Sequence, residues 1–362
     1  MIKAIAIYLP QFHPIPENDR AWGEGFTEWT NVRKAKRLFW GHYQPQLPGE
    51  LGFYDLRQAE TREKQAKLAA DHGIYGFCYY HYWFNGKRLL HEPFDAVLQS
   101  GSPDFPFCLF WANETWSRRW LGEERDIIIQ QTYSEEDDYV HISWLIEAFK
   151  DPRYIKVNNR PLFLIYRPTH FPDISATLRI FRTESLKAGL ENPFLVASNS
   201  HAGKTDLRKV GFDGILNFEP QLSVLPYFMD DERSRQKLLN NVKIGILSNK
   251  LKVYDYGEAH RKMQERTFSY PYFPCTFVNW DNSPRRGKNG IIIHNSSPLK
   301  FQYYLEKSFD KLNGMQFDES KNFAFINAWN EWAEGNYLEP DKRYGLKYLQ
   351  AVKDALTKFQ EL

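Results

Sequence analysis

The chain has 362 residues, a formal net charge of +2 at pH 7, and 42 % hydrophobic and 16 % aromatic residues. A chain of this length buries a large core, and as one domain it is expected to be one of the large barrels or sandwiches. The nearly balanced charge, without dense Lys and Arg clusters, excludes a nucleic-acid-binding face, and no apolar run approaches the roughly 20 residues that span a bilayer.

The first predicted strand lies at the amino terminus, in residues 1–8 (MIKAIAIY). This run is brief and lacks a small-residue cleavage site, so it does not have the pattern of a secretory signal. We therefore expect the protein to lie in the cytoplasm. Three cysteines, Cys78, Cys108 and Cys275, lie in predicted strands without metal-like spacing and are expected to be reduced core residues.

Short apolar runs recur along the chain, with helix-like or loop stretches between them. These predicted strands span residues 2–8, 76–82, 107–111, 162–166, 194–197, 214–218, 276–280 and 323–328. Strands separated by helical segments indicate parallel βα units, and eight such units predict a closed (β/α)8 barrel, that is, a TIM barrel with long βα loops. The chain, 1–362, is predicted to be a single domain, with a loop excursion over about residues 9–52 and an enlarged connection over about residues 225–272.

The most clearly marked helix connects the first two strands. Asp55 is suited to cap its start, Ala66 and Ala69 lie on one side of it, and Gly73 is suited to end it.

Aromatic and polar residues are concentrated where the predicted strands end. In a barrel these strand ends converge on one face, and barrel enzymes place their chemistry there. Trp and Tyr also have faces suited to stacking against sugars. We therefore predict a substrate-binding role for Tyr8, His81, Tyr82, Trp83, Trp111, Asn113, Glu114, Tyr166, Trp280, Asp281, Trp329 and Asn330.

Two of these residues have structural alternatives. His81 either donates a hydrogen bond to a substrate hydroxyl or is a core histidine that the backbone satisfies. Glu114 directly follows a buried strand and must be paired or exposed, so it either contacts substrate or forms an ion pair with Arg118 or Arg119.

The last predicted strand runs into two glutamates three residues apart, Glu331 and Glu334. Side chains of a regular strand alternate between faces and would carry this pair apart, but the chain is expected to leave strand geometry near Asn330 and to turn both carboxyls toward one cavity. Such a pair divides the roles of proton donor and proton acceptor. The alternative is two solvated loop carboxylates, and the flanking Trp329 and Trp332 favour the site.

Motifs for metals and cofactors are missing from the sequence. There is no His-Glu-x-x-His, Cys-x-x-Cys or tight His cluster, so no metal site is predicted. Gly23-x-Gly25 neither follows a predicted strand nor opens a helix with a third glycine, so dinucleotide binding is not supported. We predict no cofactor, and acid–base chemistry by carboxylates in an aromatic cleft suits glycosidic bonds.

Seven motifs carry a resemblance that runs nearly end to end. They are residues 8–14 (YLPQFHP), 22–30 (WGEGFTEWT), 41–45 (GHYQP), 51–57 (LGFYDLR), 111–114 (WANE), 160–167 (RPLFLIYR) and 329–335 (WNEWAEG). On these motifs the chain resembles the WbsX-like family, which is tied to bacterial surface-polysaccharide biosynthesis and is often labelled glycosyltransferase. The resemblance implies a carbohydrate partner of O-antigen or lipopolysaccharide type, with transient contact to a lipid-linked glycan.

The last motif is also similar to the active-site segment of glycoside hydrolase family 99, the endo-α-mannosidase and endo-α-mannanase family, which has a (β/α)8 barrel. This similarity implies a retaining, endo-acting hydrolase. Glu331 would be the base that removes the proton from the sugar 2-hydroxyl and closes a 1,2-anhydro intermediate, and Glu334 would be the acid that protonates the leaving oxygen. It also implies a raised pKa for Glu334 and an ionised Glu331 beside a donor.

Two other functions stay open at this point. A glycosyltransferase agrees with the family label and with Glu331 and Glu339, which have the Glu-x7-Glu spacing of two-domain transferases. The two doubly wound halves and the glycine-rich loop of such enzymes are missing from the sequence. A non-catalytic carbohydrate-binding protein would need only the aromatic platforms.

Overall fold

A closed barrel of eight parallel strands forms the centre of the protein. The structure is a computed structural model that describes residues 1–118, 123–225 and 251–360. The barrel strands β1 to β8 span Lys3–Tyr8, Ile74–Phe84, Phe107–Trp111, Arg160–Ile165, Phe194–Ser198, Gly214–Asn217, Phe273–Phe277 and Phe323–Asn327. Each strand pairs with its neighbours in the chain, and β8 pairs with β1 to close the barrel. The predicted (β/α)8 fold is confirmed, and each of the eight predicted strands overlaps a barrel strand, although β7 begins and ends three residues earlier than predicted.

The barrel strands are apolar on both faces. Every residue of β3 and of β8 is buried. Parallel strands have this composition because the barrel interior fills one face while helices cover the other. Since successive side chains point to opposite faces, neighbours in one strand meet different surroundings.

Helices surround the barrel. Helices α1 to α10 span Pro16–Trp22, Glu28–Lys34, Ala59–Asp71, Glu92–Ser100, Glu135–Phe149, Ile174–Lys187, Tyr256–Gln264, Ser283–Arg286, Pro298–Gly314 and Lys347–Gln360. Short strands outside the barrel span Lys87–Leu89, Trp116–Arg118, Glu123–Ile129, Lys156–Val157, Lys252–Asp255, Trp280–Asp281, Ile291–His294, Asn330–Glu331 and Asn336–Tyr337. In the described ranges, no helix has the length and apolar character needed to cross a membrane.

Helix α3 connects β1 to β2 as predicted, but it begins later than predicted. Asp55 does not cap it: the Asp55 carboxylate accepts hydrogen bonds from the backbone N–H of Arg57 at 2.9 Å and from the Arg57 guanidinium. The helix begins at Ala59, after Gln58. Gly73 follows the helix with a φ of +81°, the left-handed conformation that suits the end of a helix.

The predicted excursion after β1 contains helices α1 and α2. A capping box begins α2, in which the side chains of Thr27 and Thr30 each bond to the other's backbone. Helix α2 contacts the turn that follows β8. This packing brings Glu28, the first residue of α2, to the mouth of the barrel.

The enlarged connection between β6 and β7, predicted over about residues 225–272, lies partly outside the described residues. Its described part contains the strand Lys252–Asp255 and helix α7. The strand pairs in parallel with Ile291–His294, which pairs antiparallel with Trp280–Asp281. A small sheet of three strands therefore flanks the end of β7.

Asn330 joins the loop after β1 to the loop after β8. Its Oδ1 accepts a hydrogen bond from the backbone N–H of Leu9 at 2.7 Å, and its Nδ2 donates to the carbonyl of Leu9 at 3.0 Å. The side chain is fully buried. Asn330 therefore satisfies the backbone N–H and carbonyl of Leu9, which lies beyond the end of β1.

We expect Asn330→Ala to lower the free energy of unfolding by about 2–4 kcal/mol, because each of the two buried groups of Leu9 that lose a partner costs about 1–3 kcal/mol. Urea denaturation measures this change. Asn313→Ala, which replaces an exposed residue of α9, is the control and is expected to change the stability by less than about 0.5 kcal/mol. Equal stability of the two variants would contradict a stabilising role for the hydrogen bonds between Asn330 and Leu9.

Candidate active site

A cavity of about 250 Å³ opens at the carboxyl-terminal ends of the barrel strands. Its aromatic walls come from Trp22, Tyr80, Tyr82, Trp116, Tyr166, Phe218 and Trp280. Its charged residues are Glu114, Arg285, Glu331 and Glu334. The cavity thus lies on the face where barrel enzymes carry out their chemistry, and it combines apolar walls with a few converging charged groups.

A tight hairpin after β8 brings Glu331 and Glu334 to this cavity. The strand Asn330–Glu331 pairs antiparallel with Asn336–Tyr337, and a 3-10 turn lies between them. Gly335 completes the turn with a φ of +62°, a conformation that favours glycine. The predicted departure from strand geometry therefore takes the form of a hairpin, which turns both carboxyls the same way.

Arg285 of α8 lies among three carboxylates. Its guanidinium donates to Glu28 Oε2 at 2.8 Å and to Glu334 Oε1, and it lies 3.9 Å from Glu331 Oε2. The side chain of Glu28 is fully buried, and that of Arg285 is 6 % exposed. Burial lowers the pKa of Arg285, but the carboxylates around it raise the pKa more, so the guanidinium stays charged. One buried cation therefore balances three acidic groups.

Both glutamates of the pair have raised pKa values. Burial, and then the charge of Glu334, raises the pKa of Glu331 well above its ordinary value. Burial also raises the pKa of Glu334, although Arg285 partly opposes this shift. A hydrogen bond joins the two carboxyl groups. The pair therefore retains a proton to a higher pH than a separate, exposed glutamate would.

The distribution of charge within the pair differs from the one that the resemblance implies. That assignment calls for an ionised Glu331 and a protonated Glu334. In the structure Glu331 has the more strongly raised pKa, and Arg285 binds Glu334 directly. The direct contact with the cation therefore favours the ionised form of Glu334 over that of Glu331.

Four of the predicted binding residues line the cavity beside the glutamates: Tyr82, Glu114, Tyr166 and Trp280. Burial, and then the charge of Glu331, raises the pKa of Tyr82, so its hydroxyl stays protonated in the cavity that the two glutamates line. These residues come from the ends of different strands, as the barrel prediction requires.

Glu114 lines the cavity and is also ion-paired, but with a different arginine from the two that were predicted. Its Oε1 accepts a hydrogen bond from Arg167 Nε at 2.6 Å. Within the described part of the chain, the cation that pairs with Glu114 is therefore Arg167. Arg119 and the side chain of Arg118 lie outside the described residues.

Two predicted binding residues of β2, His81 and Trp83, face the helices and not the cavity. His81 Nε2 lies 2.9 Å from Nε2 of His141, and Trp83 Nε1 donates to the carboxylate of Asp137 at 3.0 Å. Burial lowers the pKa of His81 to about 3. Because Tyr82 points into the cavity, its two neighbours in the strand must point away from it. His81 is therefore a core histidine, but its partner is the side chain of His141 and not the backbone.

Tyr8 and Trp111 also face away from the cavity. The hydroxyl of Tyr8 donates to Gln65 of α3 at 2.7 Å. Trp111 is fully buried and packs edge-on against Phe171. Their positions at strand ends place them at the carboxyl-terminal end of the barrel. Whether each side chain points into the barrel or toward the helices depends on the alternation of side chains along the strand.

The remaining four predicted residues are held in structural roles outside the cavity lining. Asn113 donates to the carbonyl of Arg167 at 3.0 Å and accepts from its backbone N–H at 2.7 Å. Trp329 is fully buried, and Asn330 joins two loops as described above. Asp281 faces a second cavity on the other side of the hairpin.

Five residues at the site were not predicted from the sequence: Trp22, Glu28, Tyr80, Trp116 and Arg285. Tyr80 was accessible from the sequence, because it lies two residues from Tyr82 and so shares its face. Trp22 and Glu28 lie in a motif that was recognised, but nothing local indicates that this loop folds back over the barrel mouth. No group of three or more His, Cys, Asp or Glu side chains within the described ranges is arranged to hold a metal ion.

The fold and the site define the class of protein: a (β/α)8 barrel with a buried, hydrogen-bonded carboxylate pair at its carboxyl-terminal face. Residues 4–352 match the family described as Glycosyltransferase WbsX, and the chain belongs to this family. It is 40 % identical over 355 residues to the uncharacterized protein WxcX of two Xanthomonas campestris pv. campestris strains, B100 and ATCC 33913. The match covers 98 % of this chain and 49 % of the relatives, so the chain spans about half of their length.

Solved structures support the fold. A GH99 endo-alpha-mannosidase from Bacteroides thetaiotaomicron, in complex with BIS-TRIS-propane, has a TM-score of 0.57 and 12 % sequence identity, with coverage of 99 % of this chain and 97 % of that one. A glycoside hydrolase-like protein has a TM-score of 0.57 and 13 % identity, with coverage of 98 % and 93 %. At these identities the similarity establishes a shared barrel.

Proposed function

We propose that the chain is a retaining glycoside hydrolase that cuts within a bacterial polysaccharide of O-antigen or capsule type. The observation that carries this proposal is the buried pair Glu331 and Glu334 in a cavity with aromatic walls. Paired carboxyls are the usual means of cleaving a glycosidic bond, and Trp and Tyr faces suit sugar rings. Membership of the WbsX family supports a surface glycan as the substrate, with contact to its lipid-linked form.

In the proposed reaction the two glutamates divide the proton transfers. Glu331 takes the proton of the sugar 2-hydroxyl while O2 bonds to C1 and forms a 1,2-anhydro sugar. The bond from C1 to the leaving oxygen breaks, and Glu334 protonates that oxygen. Water then attacks C1 and gives a proton to Glu334, while O2 recovers its proton from Glu331. Two inversions at C1 give net retention, and both glutamates return to their first states.

This assignment requires the shared proton to reside on Glu334 when the sugar is bound. We infer that the 2-hydroxyl drives this transfer, because a hydroxyl that donates to Glu331 favours its ionised form. The hydrogen bond between the two carboxyls provides the path for the proton. Arg285 reaches both carboxylates and balances the negative charge on either side of the transfer.

Incubation with a panel of bacterial polysaccharides and lipid-linked oligosaccharides tests the proposal. The wild-type protein is expected to release fragments whose new reducing ends retain the anomeric configuration, measured by proton NMR directly after cleavage. The double variant Glu331→Gln, Glu334→Gln is expected to release none. Binding to a glycan of the panel without any cleavage would overturn the proposal in favour of a binding protein.

The description of the family supports a second candidate, a glycosyltransferase of O-antigen or lipopolysaccharide biosynthesis. Its sequence signal is the Glu-x7-Glu spacing of Glu331 and Glu339. Glu339 is buried outside the cavity lining, where it accepts hydrogen bonds from Tyr54 at 2.8 Å, Gln65 at 2.6 Å and Trp332 at 2.6 Å. The spacing thus has a structural explanation in the anchoring of the hairpin to α3. Consumption of nucleotide sugars with transfer to a lipid-linked acceptor, without hydrolysis, would establish the transferase.

A further inference from the structure

A second cavity, of about 420 Å³, lies on the other side of the hairpin that carries the glutamate pair. Consecutive residues line the two cavities: Trp280 and Glu334 line the first, whereas Asp281 and Gly335 line the second. Gly335 and Asp281 are closely packed, since a Cβ atom on Gly335 would lie 3.1 Å from Cβ of Asp281. The second cavity is therefore separate from the proposed active site but shares its wall.

The two carboxylates that line the second cavity are already satisfied within the protein. Asp281 Oδ2 accepts from His42 Nε2 at 2.7 Å and from Gln44 Nε2 at 2.6 Å. The backbone N–H of Leu38 donates to His42 Nδ1 at 3.1 Å, which places the hydrogen of the ring on Nε2. Asp281 is thus a saturated acceptor held by buried donors.

Asp341 is satisfied in the same way. Its Oδ2 accepts from the hydroxyl of Tyr337 at 2.9 Å, and its Oδ1 accepts from the backbone N–H groups of Arg343 and Tyr344 at 3.0 and 2.5 Å. Neither acid therefore needs the cationic side chains of this cavity as partners.

Two cationic side chains line the cavity. The guanidinium of Arg343 lies over the ring of Tyr43 at 4.7 Å and over the ring of Tyr344 at 5.0 Å. Lys300 Nζ donates to the carbonyl of Asn295 at 2.9 Å, which uses one of its three hydrogens. Stacking on the two rings orients the guanidinium, and its N–H groups lie in its own plane and are suited to bind an anion.

The lining also offers groups that suit a sugar. Tyr43, Tyr344 and Tyr348 contribute aromatic faces, and Ser296 and Gln46 contribute polar groups. Gln46 is buried beneath this lining.

We propose that this second cavity binds an anionic sugar residue, whose carboxylate or phosphate is recognised by Arg343 and Lys300 and whose ring packs on Tyr43. The chemistry of the site suits an acidic glycan, with cations for the charged substituent and tyrosines for the ring. The proposal concerns binding alone and does not depend on hydrolysis at the first cavity.

Titration calorimetry with glucuronic acid, glucose 6-phosphate, glucose and inorganic phosphate tests the site on the full chain. We expect at least one of the two charged sugars to bind about tenfold more tightly than glucose, the ratio that one charge-assisted hydrogen bond supplies. Preference for glucuronic acid identifies a uronic acid as the ligand, and preference for glucose 6-phosphate identifies a phosphorylated sugar.

Three variants locate the binding. Arg343→Gln is expected to remove the preference for the charged sugar, whereas Lys342→Gln, which replaces the exposed neighbouring cation, is the matched control and is expected to keep it. Tyr43→Ala is expected to weaken the binding of charged and neutral sugars alike. The proposal is overturned if no probe binds at millimolar concentrations, if inorganic phosphate binds as tightly as the sugars, or if Arg343→Gln leaves the preference intact.

Discussion

Glu334→Gln is expected to lower the rate of hydrolysis by roughly 10²- to 10⁴-fold, the contribution of a positioned general acid, while sugar binding stays largely intact. The amide has nearly the shape of the carboxyl group but has no acidic proton for the leaving oxygen. Steady-state kinetics on a polysaccharide cleaved by the wild-type protein measures the loss. The exposed Glu319 provides a control, since Glu319→Gln should leave the rate unchanged.

Substrates that differ in their leaving group separate the roles of the two glutamates. A glycoside with an activated aryl leaving group needs no acid, so Glu334→Gln should cleave it at nearly the wild-type rate. Glu331→Gln should stay inactive on both substrates, because the base is needed in either case. If Glu331→Gln keeps its activity on the activated substrate and Glu334→Gln does not, the roles are reversed, as the direct contact between Arg285 and Glu334 would favour.

Arg285→Ala is expected to destabilise the protein by about 3–5 kcal/mol, because removal of one partner of a buried ion pair leaves an uncompensated buried charge. Here three carboxyl groups, those of Glu28, Glu331 and Glu334, lose their common cation. Thermal or urea unfolding measures the change. Lys288→Ala, at an exposed position two residues after α8, is the control and should be within about 0.5 kcal/mol of the wild type.

The pH dependence of stability follows from the raised pKa values of the glutamate pair. Folding raises the pKa of these carboxyls above the ordinary value of 4.5. Their contribution to stability is therefore fully present below pH 4.5 and is lost as the pH rises through the pKa of the folded state. In Arg285→Ala this loss should become steeper, so the variant should recover part of its stability on acidification. Addition of Glu28→Gln should also recover part of it. A deficit independent of pH and of Glu28 would show that Arg285 acts through packing alone.

Much of this architecture was accessible from the sequence because it depends on local patterns. Apolar runs of strand length, separated by helical stretches, predicted the parallel barrel, and the strand-end rule placed Tyr82, Tyr166 and Trp280 at the cavity. The same rule failed for His81, Trp83 and Trp111. Both faces of a buried parallel strand are apolar, so composition does not reveal which face of the strand points inward.

By itself, the sequence determined the parallel barrel and the delivery of two carboxylates at the end of its last strand. Only the tertiary structure decided the charge that these carboxylates meet. Arg285 and its partner Glu28 are 257 residues apart in the chain and come from the loops after β7 and β1. They meet at the glutamate pair because closure of the barrel brings these loops to one mouth, and no local propensity encodes a contact between segments so far apart.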